Sequence, residues 1–101
     1  MEKRSPHYQL RGIQENVATC GIHAFTKTAR ANGFAMGLSQ AEMLQVVFSL
    51  TAANFFKSMT TYHDHTLWQD VYHATTPVGK IAYIKVSAPQ SGHPVIQFKE
   101  K

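Results

Sequence analysis

The densest group of side chains able to do chemistry lies in residues 55–72, which read FFKSMTTYHDHTLWQDVY. This stretch contains one lysine, one glutamine, two aspartates, two histidines and the only tryptophan of the chain. Lysine ammonium groups bind anions, whereas histidine, tyrosine and carboxylate groups transfer protons or bind metals. Such a density is unusual in a stretch that only fills a core, so it indicates catalysis or recognition. Two later stretches, KIAYIK at 80–85 and FKEK at 98–101, add more lysines and a tyrosine.

A metal site is the first chemistry to consider, because His63, Asp64 and His65 are ligand types that zinc accepts. Adjacent residues of one loop seldom converge on a single ion, and neither a cysteine nor an acidic cluster accompanies them. We therefore expect no metal site. Without a paired histidine, Cys20 is expected to be a buried, small apolar side chain rather than a nucleophile. The other histidines are interpreted as surface or packing residues: His7, His23, His73 and His93.

Composition predicts one domain spanning residues 1–101, with 44% apolar residues to form its core. The single cysteine rules out an internal disulfide and suits a reducing compartment. The polar start of the chain and the lack of a long apolar run predict a cytoplasmic protein without membrane contact. Ten Lys and Arg against six acidic residues give a net charge of +4. This modest excess is compatible with an anionic partner such as RNA, although it is a weak signal.

Helix signals dominate the first half of the sequence. The Ser-Pro pair at 5–6 is typical of a helix start, and Gly21 is typical of the end of that helix. Residues 22–25 suit a small edge strand. Residues 26–32 predict a short helix that Gly33 ends.

The second half changes from helical to strand periodicity. Ser39 and Glu42 form a capping-box pattern ahead of the apolar run 43–50, which predicts a largely buried helix. Aromatic and branched residues, separated by Pro/Gly turn signals, then predict four strands: residues 55–59, 68–74, 80–88 and 95–99. The fold class is therefore α+β, with N-terminal helices packed on an antiparallel sheet.

Alternation along the last two predicted strands separates two faces of the sheet. In residues 81–86 the apolar side chains alternate with Tyr83 and Lys85, and in residues 95–99 the apolar side chains at 96 and 98 alternate with a face that carries Lys99. One face should be covered by helices, and the other should carry lysine and tyrosine. An RNA-contacting sheet needs such a face, but an ordinary solvated sheet face has the same pattern.

Further aromatic and cationic side chains are candidate RNA contacts, because bases stack on aromatic rings and phosphates attract ammonium groups. The candidates are Tyr62, His65, Trp68 and Lys85. For Trp68, burial in the core is the other open interpretation, and structural burial is the commoner role of a lone tryptophan in a small domain.

Residues 57–72 resemble the signature of the motility quorum-sensing regulator (MqsR) toxin family, written KSMTTYxDHTxWQDVY. The MEKRSPH start, YIK at 83–85 and the closing FKEK agree with the family in order and spacing. The resemblance covers essentially the whole chain and is strongest at the N terminus and from about Asn54 onward. It implies a bacterial type II toxin of RelE-like fold that acts as a ribosome-independent mRNA endoribonuclease. It also implies a cognate protein antitoxin that carries a zinc-binding domain and a DNA-binding domain.

The family's catalytic positions fall on Lys57, Gln69, Tyr83 and Lys99, and the resemblance implies that no metal or other cofactor is needed. It further implies cleavage at GC-containing triplets such as GCU. The loop at 73–78 lacks the arginines that the best-known member of the family carries there, so the preferred triplet can differ.

The implied reaction is attack of a ribose 2′-hydroxyl on the adjacent phosphorus, which needs a base, an acid and cations. We hypothesise that Tyr83 or Lys57 transfers protons, Lys99 stabilises the phosphorane, and Gln69 orients the phosphate or a base. Two alternatives remain open. One is a catalytically silent RNA-binding module, and the other is a metal-dependent hydrolase centred on the histidines of the loop.

Overall fold

A computed structural model describes residues 1–89 and 92–101, and in this part of the chain three helices accompany one five-stranded antiparallel sheet. The strands lie side by side in sequence order, as an antiparallel meander. They are β1 (Glu2–Lys3), β2 (Phe55–Thr60), β3 (Trp68–Thr75), β4 (Ile81–Ser87) and β5 (Val95–Glu100). The α+β prediction is confirmed, and the four predicted strands agree with β2 to β5 within one residue at each end.

The helices are α1 (Leu10–Cys20), α2 (Lys27–Ala35) and α3 (Gln40–Phe48), and they form one core with the inner face of the sheet. The sheet contributes the predicted apolar alternation, and all of these side chains are buried: Ala82, Ile84, Val86, Ile96 and Phe98. The helices and the connections around them supply the opposing layer, chiefly Ile13, Val17, Met43, Val46, Val47 and Leu50. No helix in the described ranges is long and apolar enough to cross a membrane.

The capping box of α3 is present as predicted. The Ser39 hydroxyl accepts from the Glu42 N–H at 3.1 Å, and the Glu42 carboxylate accepts from the Ser39 N–H at 2.9 Å. These bonds satisfy two of the N–H groups that a helix start leaves free. The helix is less buried than its composition suggested, because the Phe48 side chain at its end is 40% exposed.

The predicted helix start at residues 5–6 is wrong, since α1 begins at Leu10. The backbone N–H groups of His7 and Tyr8 instead donate to the Asp70 carboxylate on β3, at 3.0 and 2.8 Å. The Asp70 carboxylate thus holds the segment that contains His7 and Tyr8 against the sheet, and this segment is not helical. Ahead of it lies β1, a strand that the sequence did not predict.

Two further predictions, for residues 22–25 and for Gly33, are corrected. Residues 22–25 do not form a strand. The chain makes a 3-10 helix at Gly21–Ala24, and only Phe25 bridges to β5. Gly33 does not end α2, which continues to Ala35. It allows close packing instead, because a β-carbon there would collide with the side chain of Met43 on α3. Gly21 does end α1, as predicted, with a φ of 63°.

Helix α2 lies along the free edge of β5. The Thr26 N–H donates to the Ile96 carbonyl at 3.0 Å, and the Asn32 side-chain amide donates to the Phe98 carbonyl at 3.0 Å. These bonds cover carbonyl groups that an edge strand would otherwise present to solvent. As a result, the side of α2 borders the sheet face that the helices leave open.

Candidate active site

The candidate site lies on the outer face, defined as the face of the sheet turned away from the core, which carries Lys57, Gln69, Tyr83, Lys85 and Lys99. Residues paired directly across antiparallel strands point to the same side of the sheet. The strand register therefore brings together the four positions that the family resemblance implied to be catalytic. The same face also carries Lys85, which was predicted from the sequence to contact RNA.

One row of the outer face is centred on Tyr83. His73 on β3 and Lys99 on β5 are its direct cross-strand partners. The Lys99 ammonium lies 5.2 Å from the centroid of the Tyr83 ring, and the His73 ring lies 5.2 Å away on the other side. Phe56 stacks on His73 with a centroid separation of 4.5 Å. Tyr83 is thus a phenol held between an imidazole and an ammonium group.

The adjacent row runs from Lys57 through the buried Val71 to Lys85 and Gln97. Lys85 lies in the middle of this row and is half-buried. Partial burial first, and then the ammonium groups of Lys99 and Lys57, lower the pKa of Lys85 from its ordinary value of 10.5. A cluster of three lysines costs electrostatic energy that a bound anion removes, so this geometry favours a phosphate ligand.

Glu2 is a member of the site that sequence reasoning missed. Strand β1 places its carboxylate 2.6 Å from the Lys57 ammonium. That hydrogen bond and the charge of Lys57 lower the pKa of Glu2 from 4.5. A two-residue strand has no detectable periodicity, and nothing in the first residues indicated that this glutamate would reach Lys57.

Gln69 lies one pair further along the outer face, on β3, and its side chain is largely buried. It lines a depression of about 610 Å³ together with Lys85 and two residues of the loop between β2 and β3, Tyr62 and His65. Tyr62 is 89% exposed. The structure therefore places Tyr62, His65 and Lys85 around the same depression as Gln69, with an aromatic ring open to a ligand.

Trp68 is not part of the outer face. It alternates with Gln69, and its ring stacks on His7 at 5.3 Å while the Lys3 ammonium lies 4.2 Å from its centroid. The Tyr8 hydroxyl donates to the Trp68 carbonyl at 2.8 Å. The tryptophan thus contacts the N-terminal segment on the opposite side of the sheet from Tyr83. Its predicted contact with RNA remains a prediction, and this position gives it no support.

The two aspartates of the dense stretch have separate structural roles. Asp70 is fully buried and accepts from the Ser58 hydroxyl at 2.6 Å, in addition to its bonds to the N-terminal segment. Asp64 is exposed and accepts from Thr66 inside the β2–β3 loop.

Burial, reinforced by the Asp70 carboxylate, raises the pKa of Tyr72 to about 12. Tyr72 is therefore a core phenol, whereas Tyr83 is the phenol that faces outward.

The described residues that were considered for metal binding do not form a cluster. Within residues 1–89 and 92–101 no three His, Cys, Asp or Glu side chains are arranged to hold a metal ion. His63 and His65 are exposed in the β2–β3 loop. Cys20 is a free thiol at the end of α1 and is half-buried rather than fully enclosed.

His73 is a second residue whose place in the site the sequence did not reveal. It does pack, as interpreted, but it packs against Phe56 and Tyr83 on the outer face. Its Nε2 atom is buried and has no hydrogen-bond partner among the residues that the structure describes. Burial, and secondarily the charge of Lys101, lowers the pKa of His73 from 6.5. The neutral imidazole is thus favoured beside the central tyrosine.

Comparison with known proteins agrees with this geometry. Residues 5–100 match the family described as motility quorum-sensing regulator, toxin of MqsA. The chain is also 39% identical over 101 residues to the mRNA interferase toxin MqsR of Escherichia coli (strain K12), and the alignment covers 100% of both chains. Both matches extend across the helices and the sheet as well as the dense stretch from which the resemblance was first drawn. The chain therefore belongs to the motility quorum-sensing regulator (MqsR) toxin family.

Proposed function

We propose that the chain is a toxin mRNA interferase, an endoribonuclease that cleaves RNA on the outer face without a metal or other cofactor. The observation that carries this proposal is the placement of Lys57, Lys85, Lys99 and Tyr83 on one face of the sheet, in two adjacent rows. The lysines supply positive charge for a phosphodiester, and Tyr83 supplies a group that can exchange a proton with it. The relative at 39% identity is itself named an mRNA interferase toxin.

In the proposed reaction the 2′-hydroxyl of one nucleotide attacks the adjacent phosphorus, and the bond to the 5′-oxygen of the next nucleotide breaks. The products are a 2′,3′-cyclic phosphate and a 5′-hydroxyl end. The proton that leaves the 2′-hydroxyl passes to the departing 5′-oxygen. We assign this transfer to Tyr83 rather than to Lys57, because Lys57 is already held in an ion pair with the Glu2 carboxylate at 2.6 Å. The side chains of Lys57 and Lys99 stabilise the charge that develops on the phosphorane oxygens. The Gln69 amide orients a phosphate or a base from the neighbouring depression.

The finer features of the activity are proposed on the family resemblance. The toxin acts on mRNA without the ribosome, in the cytoplasm, where its substrate is translated. It cuts at GC-containing triplets such as GCU, with a preference that the arginine-free loop at 73–78 can modify. Membership of a toxin family implies an antitoxin, and we propose that this antitoxin carries zinc-binding and DNA-binding domains. Residues 1–101 act as one domain, as their single shared core supports.

The test is cleavage of a mixed-sequence RNA by the purified protein in EDTA, with all new 5′ ends mapped. Tyr83→Phe removes only the proton-bearing oxygen, and we expect it to lower the rate by roughly 10²- to 10⁴-fold, the range for general acid–base groups. Lys57→Ala should also abolish most cleavage. The matched control is Lys80→Ala, since Lys80 is exposed and pairs with Glu100 at 3.6 Å outside the candidate site.

Each alternative predicts a different result in the same assay. A folded protein that binds the RNA but makes no cuts would be the silent RNA-binding module. Cuts that disappear in EDTA would indicate a metal-dependent hydrolase. Full activity of Tyr83→Phe would remove the tyrosine from proton transfer.

A further inference from the structure

A groove separates α2 from the outer face at the edge of β5. It encloses about 410 Å³, within the size range of roughly 300–1,000 Å³ that small-molecule sites occupy. Thr28 and Asn32 of α2 form one wall, and Gln97 and Lys99 of β5 form the other. Ala29 and Phe98 also line it and make its apolar part.

The lining of this groove matches the chemistry of an RNA base. Bases of single-stranded RNA are recognised through hydrogen bonds to their edges and apolar contact with their faces. Thr28 and Gln97 are exposed and offer both donors and acceptors. The Asn32 amide nitrogen is already bound to the Phe98 carbonyl, so its oxygen is left with a fixed orientation as an acceptor. None of the described residues that line the groove is acidic.

The groove is continuous with the proposed catalytic residues. Tyr83, Lys85 and Lys99 belong to its lining as well as to the rows described above. Lys85 and Gln97 also line the depression that contains Gln69 and Tyr62. A single strand that enters at the β2–β3 loop can therefore cross the lysines and leave along α2.

We propose that the groove between α2 and β5 is a nucleotide subsite, in which Thr28, Asn32 and Gln97 read the base of one nucleotide next to the scissile phosphate. The subsite rests on the proposed function and deepens it, because it assigns part of the sequence preference to side chains away from the reacting atoms. Thr28, Asn32 and Gln97 are specificity residues here, and Lys99 holds the adjoining phosphate.

The first test measures cleavage preference with near-isosteric variants. Thr28→Val and Gln97→Leu each remove hydrogen-bonding groups from an exposed position, and Thr19→Val is the matched control on the outside of α1. Each protein digests an RNA pool with randomised positions, and sequencing of the ends gives the base frequencies around the cut. We expect at least one groove variant to lose about five- to tenfold in discrimination at one flanking position, the effect of one neutral hydrogen bond. Preferences identical to those of the wild type in both variants would overturn the subsite.

The second test separates failure of the subsite from failure of the proposed function. A pool of short 2′-O-methyl RNAs cannot be cut by 2′-hydroxyl attack, so binding is measured by amide NMR shifts of the wild-type protein. We expect the shifts to include Thr28, Ala29, Asn32 and Gln97. Shifts in the groove together with no cleavage of ordinary RNA would support the subsite and refute the nuclease. Cleavage of ordinary RNA without shifts in the groove at saturation would refute the subsite alone.

Discussion

The ion pair between Glu2 and Lys57 makes a quantitative prediction about RNA binding. If the three lysines of the outer face contact phosphates, RNA affinity falls with salt because each contact releases counterions. Lys85 and Lys99 form no ion pair within residues 1–89 and 92–101, whereas Lys57 is already paired with Glu2 at 2.6 Å. We therefore expect Lys57 to contribute little to the salt dependence until that carboxylate is removed. Glu2→Gln is the perturbation that tests this.

The magnitude follows from the number of lysines. Each phosphate contact on a single strand contributes a slope of about −0.7 in a plot of log affinity against log salt. Two lysines give about −1.4 for the wild type, which is a loss of about sevenfold between about 50 and 200 mM salt. Three lysines give about −2.1 for Glu2→Gln, which is a loss of about twentyfold over the same range. The variant should also bind more tightly than the wild type at low salt.

Fluorescence anisotropy with a 2′-O-methyl RNA measures these slopes without cleavage. Lys85→Gln should reduce the wild-type slope by about 0.7, since it removes one free lysine. Lys80→Gln should leave it unchanged, because Lys80 pairs with Glu100 away from the outer face. Equal slopes for the wild type and Glu2→Gln would show that the ion pair does not limit Lys57. An unchanged slope in Lys85→Gln would show that RNA does not cross the lysine row.

Three further predictions concern stability. Asp70→Ala leaves a buried hydroxyl and two backbone N–H groups without their acceptor, so urea unfolding should show a loss of about 3–5 kcal/mol. The exposed Asp64→Ala should change stability far less, and equal losses would contradict this account. Folding lowers the pKa of His73 below its ordinary value of 6.5. The neutral His73 side chain therefore makes its full contribution to the free energy of unfolding above pH 6.5, and this contribution is lost as the pH falls through the folded-state pKa. The Tm of the wild type should thus drop relative to His73→Gln in that acidic range alone, and a constant difference would refute the burial of the neutral ring. Gly33→Ala should cost about 1–3 kcal/mol in the same unfolding assay by overpacking, whereas Gly12→Ala, with open space around its β-carbon, should not destabilise α1.

Local sequence rules were sufficient for strands β2 to β5, but they did not reveal β1. Period-two alternation gave the strands and placed Tyr83, Lys85 and Lys99 on one face, because the pleat allows each side chain only two directions. The pairing of Tyr83 with Lys99 and His73 depends on register, which is set by turns and by core packing across the sheet. The position of His73 beside Tyr83 could therefore not be predicted, although its residue type and its strand were known.

The errors lie where tertiary contacts override local signals. The Ser-Pro pair is a good helix start in isolation, but the N–H groups that would begin the helix donate to Asp70 instead. Gly33 is a good helix stop in isolation, but the Met43 side chain packs against the place where a β-carbon would lie. Both cases depend on a partner more than nine residues away, which no window of local sequence contains.

The buried Asp70 explains how the N-terminal segment is connected to the site. A buried carboxylate on the inner face costs free energy unless hydrogen-bond donors satisfy it. Its donors are Ser58 of β2 and the backbone of residues 7–8, so the same group fixes the strand that carries Lys57 and the segment that follows β1. With the segment fixed at Asp70, β1 pairs with β2 in the register that sets Glu2 beside Met59 and its carboxylate against Lys57. A buried charge on one face of the sheet thus determines the ion pair on the other face, and with it the charge that the site offers to RNA.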